Sequence, residues 1–363
     1  MYNELTTPAV IVDLDIVEAN LAKLASKLSL QGIKHRPHMK THKSVALARM
    51  QLAAGAHGIT VAKLSEAEVF AAAGIDNILL AFPLIGKEKL QRFARLHQSI
   101  EIMTVVDSLQ GAVGLSEVAK ETGKPVQVLI EVDGGLHRGG RQPGEDLVSF
   151  ACQIRELEGI RIAGILSYFG QIYREKGKES LRSVVKTESE LIRRVTGDLQ
   201  EVGISLSIIS SGSTPSSLLC EDLHGATEVR AGNYIFNDVT AMKLGLVEER
   251  DCALRVIATV VSLPIPGRAT IDAGSKTLTS DRAQHHEGYG IVAGHPFVEI
   301  IALNEEHGML QFDPASVAFS IGDRIEIIPN HACVIPNLND SLNAVRKGKV
   351  VDTISIDARG CNY

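Results

Sequence analysis

Three stretches of the chain carry residue types that could do chemistry. The first is Arg36-Pro37-His38-Met39-Lys40-Thr41-His42-Lys43, which follows a short apolar run. A lysine projecting from a strand end into a pocket loses charge through desolvation and becomes a nucleophilic amine. Lys40 suits that role, whereas Lys43 falls in the first turn of the expected next helix and reads as a surface lysine. The second stretch is Ser210-Ser211-Gly212-Ser213-Thr214-Pro215-Ser216, a turn rich in glycine and hydroxyls with proline placed for a first helical position. Such a turn commonly only caps a helix, yet its free amides and hydroxyls also make a ready anion site. Arg230-Ala231-Gly232-Asn233-Tyr234 follows as a second glycine-bearing loop. The third stretch is Pro329-Asn330-His331-Ala332-Cys333. In an extended segment residues i and i+2 point the same way, so His331 and Cys333 could share one metal ion. A buried histidine and a core cysteine are the commoner occurrence. Two protein ligands would leave open positions, as a catalytic Lewis acid needs. A sulfur ligand favours zinc over magnesium, with manganese possible. Arg138 could add paired hydrogen bonds to a carboxylate or phenolate oxygen, and Tyr168 could pack on a planar ring.

These residues acquire a common location only if the elements around them do. From about residue 33 to 230, short β-branched runs alternate with amphipathic helical stretches, the pattern of parallel βαβ units. Expected strands lie at 33–38, 58–62, 77–82, 100–105, 126–132, 160–166, 205–209 and 226–230. Helical patterns between them include 43–54, 64–73, 108–121 and 179–202. A doubly wound open sheet also uses parallel strands, but a count of eight favours a (β/α)8 TIM-type barrel. In that barrel reactive groups leave the carboxyl ends of the strands, and phosphate sites form after strands seven and eight. Lys40 then follows strand one, Arg138 strand five, Tyr168 strand six, and the two glycine-bearing loops strands seven and eight.

After about Leu246 the helical periodicity fades. Runs at 254–263, 269–272, 297–303, 324–328 and 350–356 suggest antiparallel β structure. The opening segment 9–13 has the same character and precedes a helix at 15–28. The expected organisation is a barrel domain over 14–245, with 1–13 and 246–363 forming a mainly antiparallel β domain that carries the His331–Cys333 pair.

Composition narrows the function classes. With 37 Lys and Arg against 43 Asp and Glu, and no basic run, nothing suggests nucleic-acid binding. No apolar run approaches the roughly 20 residues that span a bilayer, and the first residues carry no basic leader or apolar stretch. Five scattered cysteines fit a reducing compartment better than a disulfide framework. The expectation is a cytoplasmic enzyme acting on a small molecule.

The Arg36–Lys43 block, the Ser211-Gly212-Ser213-Thr214-Pro215 turn and His331-Ala332-Cys333 together resemble the D-threonine aldolase and D-serine dehydratase group. That group is a branch of the fold type III, alanine-racemase-type pyridoxal-phosphate enzymes. The resemblance runs from Thr7-Pro8 to about Arg359-Gly360. It implies a homodimer with pyridoxal 5′-phosphate on Lys40 and a divalent metal beside it. Ser211, Gly212, Ser213, Thr214, Gly232 and Asn233 would hold the phosphate, Arg138 and Tyr168 would line the ring, and His331 and Cys333 would bind the metal. Two departures stand out. Aldolases of the group often have aspartate where Cys333 stands, and a histidine is common where this chain has Gln171.

The implied activity is a lyase on D-3-hydroxy amino acids, of D-threonine aldolase type, releasing glycine and an aldehyde. The alternative is a D-serine or D-3-hydroxyaspartate dehydratase releasing a 2-oxo acid and ammonia. An amino-acid racemase would need a second base, for which Tyr289 is the nearby candidate. A non-catalytic pyridoxal-phosphate carrier would resemble a barrel without the second domain.

Overall fold

The computed structural model describes residues 2–363. Strand β1 (Ala9–Asp13) leads into the helix Leu14–Leu30, which starts where it does because the Asp13 carboxylate accepts the free amides of Asp15 and Ile16 at 2.9 and 3.2 Å. Eight parallel strands follow: β2 (Lys34–His35), β3 (Ile59–Val61), β4 (Asn77–Leu80), β5 (Glu101–Val106), β6 (Val126–Asp133), β7 (Ile160–Tyr168), β8 (Ile208–Ser211) and β9 (Glu228–Val229). Their order is β2-β9-β8-β7-β6-β5-β4-β3. A parallel bridge between His38 and Thr60 spans the gap from β3 back to β2, with the Thr60 amide donating to the Pro37 carbonyl at 2.8 Å. The sheet therefore closes as the expected (β/α)8 barrel, not as a doubly wound layer.

Side-chain alternation divides each strand between two packing environments. Leu79, Met103, Val105, Leu129, Ala163 and Leu166 form a small cluster that fills one side of the barrel interior. Their neighbours Ile78, Ile102, Val128, Ile130 and Ile165 pack outward against helices. The remaining interior wall is polar. Arg36 donates from Nε to both oxygens of Glu228 at 3.2 and 3.0 Å, and from Nη1 to Asn77 at 2.6 Å. Ser210 donates to the same carboxylate at 2.7 Å, and His57 lies 3.0 Å from it.

Burial works to raise the Glu228 pKa. It is outweighed by the His57 hydrogen bond, the Arg36 charge and the Ser210 hydroxyl, which bring it from 4.5 down to about 2. A depressed native pKa gives stability that is fully present above 4.5 and is lost as pH falls towards 2. Glu228→Gln is expected to flatten the stability–pH curve over that interval. Glu228→Ala, which strands the buried Arg36 charge, is expected to cost about 3–5 kcal/mol, read as a lower urea midpoint at unchanged m.

The second sheet contains β10 (Leu254–Ser262), β11 (Arg268–Ile271), β12 (Ile291–Val292), β13 (Glu299–Leu303), β14 (Gly308–Gln311), β15 (Arg324–Ile328), β16 (Ser341–Arg346) and β17 (Lys349–Ser355). Its order is β11-β14-β13-β12-β15-β10-β1-β16-β17. Pairing is antiparallel except between β1 and β16. Strands β12, β14 and β16 escape the sequence reading. β12 is two residues long, β14 opens on a glycine, and β16 carries serine, asparagine and arginine on its less buried positions. No helix among the described residues is long and apolar enough to cross a membrane, and the five cysteines are unpaired.

Candidate active site

A cavity of about 910 Å³ opens at the carboxyl ends of the barrel strands and is walled on one side by loop residues from the C-terminal part of the chain, such as Arg282, His331 and Cys333. Lys40, Arg138, Tyr168, Gly212, Ser213, Thr214, Gly232, Asn233, His331 and Cys333 all line it. Ser211 does not. It lies beneath the turn, its hydroxyl committed to Glu188 and to Ser167 at 2.7 Å. Strand β8 runs through Ser211, and alternation turns that side chain outward to the helix layer.

Lys40 sits in a single 3-10 turn, Met39–Thr41, that begins on His38. Among the described residues its amine has no hydrogen bond or ion pair. Its side chain is exposed to solvent through the cavity mouth. Desolvation lowers its pKa; Cys333 opposes this, while Arg138 and Arg230 reinforce it. The shift is in the direction of the free-base amine that a nucleophile requires.

Lys43 is not the surface lysine expected from helix position. The helix begins only at Val45. Lys43 is buried with φ 53°, its amine 3.3 Å from Glu66 and bonded to the Cys361 carbonyl and Asn362. Residues from the far end of the chain fold over it, which no local pattern announces. It lines the cavity as one half of a buried ion pair.

The turn after β8 has a backbone course that only glycine permits at its centre. Gly212 has φ +85°, and a Cβ there would lie 2.6 Å from Val229 Cγ1, so only glycine fits. A Cβ on Gly232 would meet the His38 carbonyl and the Thr41 hydroxyl at 2.7 Å. Among the described residues the amides of Ser213, Gly232 and Asn233 have no acceptor. Asn233 is held by its amide bond to Asp238 at 2.6 Å, leaving its Oδ1 buried without a partner.

Arg138 lies over the Tyr168 ring at 4.8 Å. Desolvation raises the Tyr168 pKa and keeps the phenol protonated, against the nearby Arg138. The loop bearing Arg138 is pinned by Asp133, which accepts the Gly135 and His137 amides at 2.9 and 3.0 Å and the Gln142 side chain at 2.8 Å. Arg230 also faces the cavity, fixed by bonds to Ser210 at 2.8 Å and the Ser167 carbonyl at 2.6 Å. Sequence reading reached its loop without singling it out.

His331 and Cys333 lie together, though not by the alternation of an extended segment. Strand β15 ends at Ile328 and residues 332–334 form a turn, so a bend, not extended alternation, brings both to the cavity. The Cys333 sulfur raises the His331 pKa to about 10 against desolvation, with Asp238 and Asp281 adding to the effect. Positive charge is favoured at this spot. His331 Nδ1 is 2.8 Å from the Asp281 carboxylate, which leaves Nε2 for a metal in the usual carboxylate–histidine arrangement. Thr41 lies 3.2 Å from the sulfur. Among the described residues no third His, Cys, Asp or Glu completes a protein cage, so the donor set suits a metal with open positions.

Gln171 does not line the cavity; it donates to the Gly134 carbonyl at 2.7 Å. Tyr289 is likewise absent from the lining, its hydroxyl taken by Arg282 at 2.8 Å. Three supporting carboxyls went unread. Asp238 holds Asn233 and the Ala332 amide, Asp281 holds His331, and Glu188 lies beneath the anion turn. Only Glu188 leaves a local signal, as a carboxyl in the apolar stripe Leu181, Val185, Ile192, Val195 and Leu199.

Comparison with known proteins agrees with this geometry. Residues 12–239 match the alanine racemase N-terminal domain family, and residues 253–345 match a putative serine dehydratase domain. The chain is 36% identical to D-threo-3-hydroxyaspartate dehydratase of Delftia sp. (strain HT23), covering 91% of each chain. The crystal structure of D-threonine aldolase from Filomicrobium marinum superimposes with a TM-score of 0.93 at 30% identity, over 99% of this chain and 97% of that one. A cysteine-to-alanine mutant of D-threo-3-hydroxyaspartate dehydratase, solved in a metal-free form, superimposes with a TM-score of 0.90 at 33% identity, over 97% of each chain. The chain therefore belongs to the fold type III, alanine-racemase-type pyridoxal-phosphate enzymes, in the lyase branch that contains the D-threonine aldolases and the D-serine and 3-hydroxyaspartate dehydratases.

Proposed function

We propose that this enzyme is a metal-assisted lyase acting on D-3-hydroxy amino acids, with D-threonine-type aldol cleavage as its first reading. One observation carries it. An unpartnered lysine amine, a cradle of free amides and a His–Cys pair converge on one cavity from the barrel rim and the loop after β15. When bound, pyridoxal phosphate supplies an electron sink for the pair left at Cα after a bond breaks. Lys40 would carry it. The amides of Ser213, Gly232 and Asn233, with the Thr214 hydroxyl and the glycine approach at Gly212, would hold its phosphate. Arg138 and Tyr168 would bound its ring. His331 and Cys333 would hold a divalent metal, zinc before manganese, next to the substrate's β-hydroxyl.

The chain's own residues support two outcomes. If the hydroxyl proton is removed, Cα–Cβ breaks and glycine and an aldehyde leave; the close likeness to D-threonine aldolase supports this. If Lys40 instead takes the Cα proton, the β-hydroxyl departs and a 2-oxo acid and ammonia follow. Cys333 supports this second reading, as does the relation to the Delftia dehydratase. Incubating the holoenzyme with D-threonine and zinc or manganese separates them. Glycine with acetaldehyde is the expected result. 2-Oxobutanoate with ammonia would establish the dehydratase, and no turnover of D-threonine, D-serine or D-3-hydroxyaspartate would sink the lyase reading.

A further inference from the structure

Glu188 is a carboxyl with no role in the chemistry above and no solvent contact. It projects from the helix Lys178–Glu201, and among the described residues no lysine or arginine reaches it as an ion pair. A buried carboxyl is costly unless hydrogen bonds replace its water. Here every bond comes from one turn. Glu188 accepts the Gly212 amide at 2.8 Å and the Ser216 hydroxyl at 2.8 Å, and also the Ser211 hydroxyl. Ser211 passes the contact on to Ser167 at 2.7 Å, and Ser216 lies 3.2 Å from Ser213, which lines the cavity. The carboxyl thus holds the underside of residues 211–216, while Gly212, Ser213 and Thr214 line the cavity.

We propose that Glu188 is a positioning residue that fixes this turn for the cofactor's phosphate. The proposal rests on the phosphate cradle assigned above. With Gly212 at φ +85° the turn has an unusual backbone course. The bond from its amide to Glu188 selects that course, and so sets where the free Ser213 amide points. Burial pushes the Glu188 pKa up, against the three hydrogen bonds that the carboxyl accepts from the turn.

The test compares two ligands of the metal-loaded protein stripped of cofactor: pyridoxal phosphate, and pyridoxal, which lacks the phosphate. Leaving the turn's buried donors unpaired in Glu188→Ala is expected to weaken pyridoxal phosphate by about 10–100-fold, with pyridoxal unchanged within about 2-fold. Glu188→Gln keeps an acceptor for Gly212, and the Ser216 hydroxyl can rotate to accept from the new amide. It is expected to restore pyridoxal phosphate affinity to within about 3-fold of wild type. Equal weakening of both ligands would mean a general structural role and overturn the proposal, as would no weakening of either. If Glu188→Ala does not fold, Ser216→Ala removes one of the three bonds and the same ratio decides. Wild-type protein that binds pyridoxal phosphate no better than pyridoxal would overturn the cradle itself.

Discussion

Exchanging Lys40 for alanine is expected to lower kcat/KM on D-3-hydroxy amino acids by on the order of 10³–10⁴-fold, about 4–5.5 kcal/mol of barrier. Stability should barely change, because the Lys40 amine has no partner to lose. Three lysines line the cavity; Lys63 lies over the Phe82 ring, and their surroundings decide between the other two. Lys43 sits 3.3 Å from Glu66 and donates to the Cys361 carbonyl and the Asn362 side chain. Lys40 has none of these, and desolvation lowers its pKa. Borohydride reduction of the holoenzyme followed by peptide mass analysis should therefore leave the cofactor on Lys40. A label on Lys43 would overturn the assignment. The sign of the shift adds a second readout. The free amine grows as pH rises through the lowered pKa, so cofactor capture by the apoenzyme should accelerate below the ordinary lysine value of 10.5. Lys43→Met should leave that midpoint in place.

Much of this site is legible because the barrel converts sequence order into location. Once eight strands are counted, the residue after each strand is assigned to one rim, and Lys40, Arg138, Tyr168 and the two glycine-bearing loops fall together. What resists reading is which way a side chain points where regular structure stops. Ser211 belongs to the last residue of β8 and turns to the helix layer, whereas Ser213, two positions on, already follows the turn to the cavity. His331 and Cys333 share a side through a bend that alternation does not describe. Lys43 looks exposed from its helix register but is buried by residues over 300 positions away.

The supporting carboxyls mark the same boundary. Asp281 meets His331 across 50 positions through tertiary folding alone. Glu188, by contrast, breaks an apolar helical stripe. A carboxyl on a helix face that packs inward must find donors there, so its neighbours are worth asking about even without a structure.

The metal pair carries the second large effect. Dialysis against a strong chelator is expected to reduce turnover by at least about 10²-fold, since a Lewis acid contributes several kcal/mol to charge stabilisation. Zinc or manganese added back should restore it. His331→Ala and Cys333→Ala should reproduce the loss, and metal analysis should find the ion gone. Cys333→Asp is the more informative change. It replaces a soft sulfur with a hard oxygen while leaving His331 and its Asp281 partner in place, so activity should return with manganese favoured over zinc. Asp281→Asn removes the carboxylate that orients His331 Nδ1 at 2.8 Å. It should weaken metal binding by about 10–100-fold while leaving kcat at saturating metal within a few-fold of wild type. That separation matters because Asp281 touches only the ligand, whereas His331 and Cys333 would touch the ion. Full activity after exhaustive chelation would remove the metal from the reaction and leave His331 and Cys333 with no ion to hold.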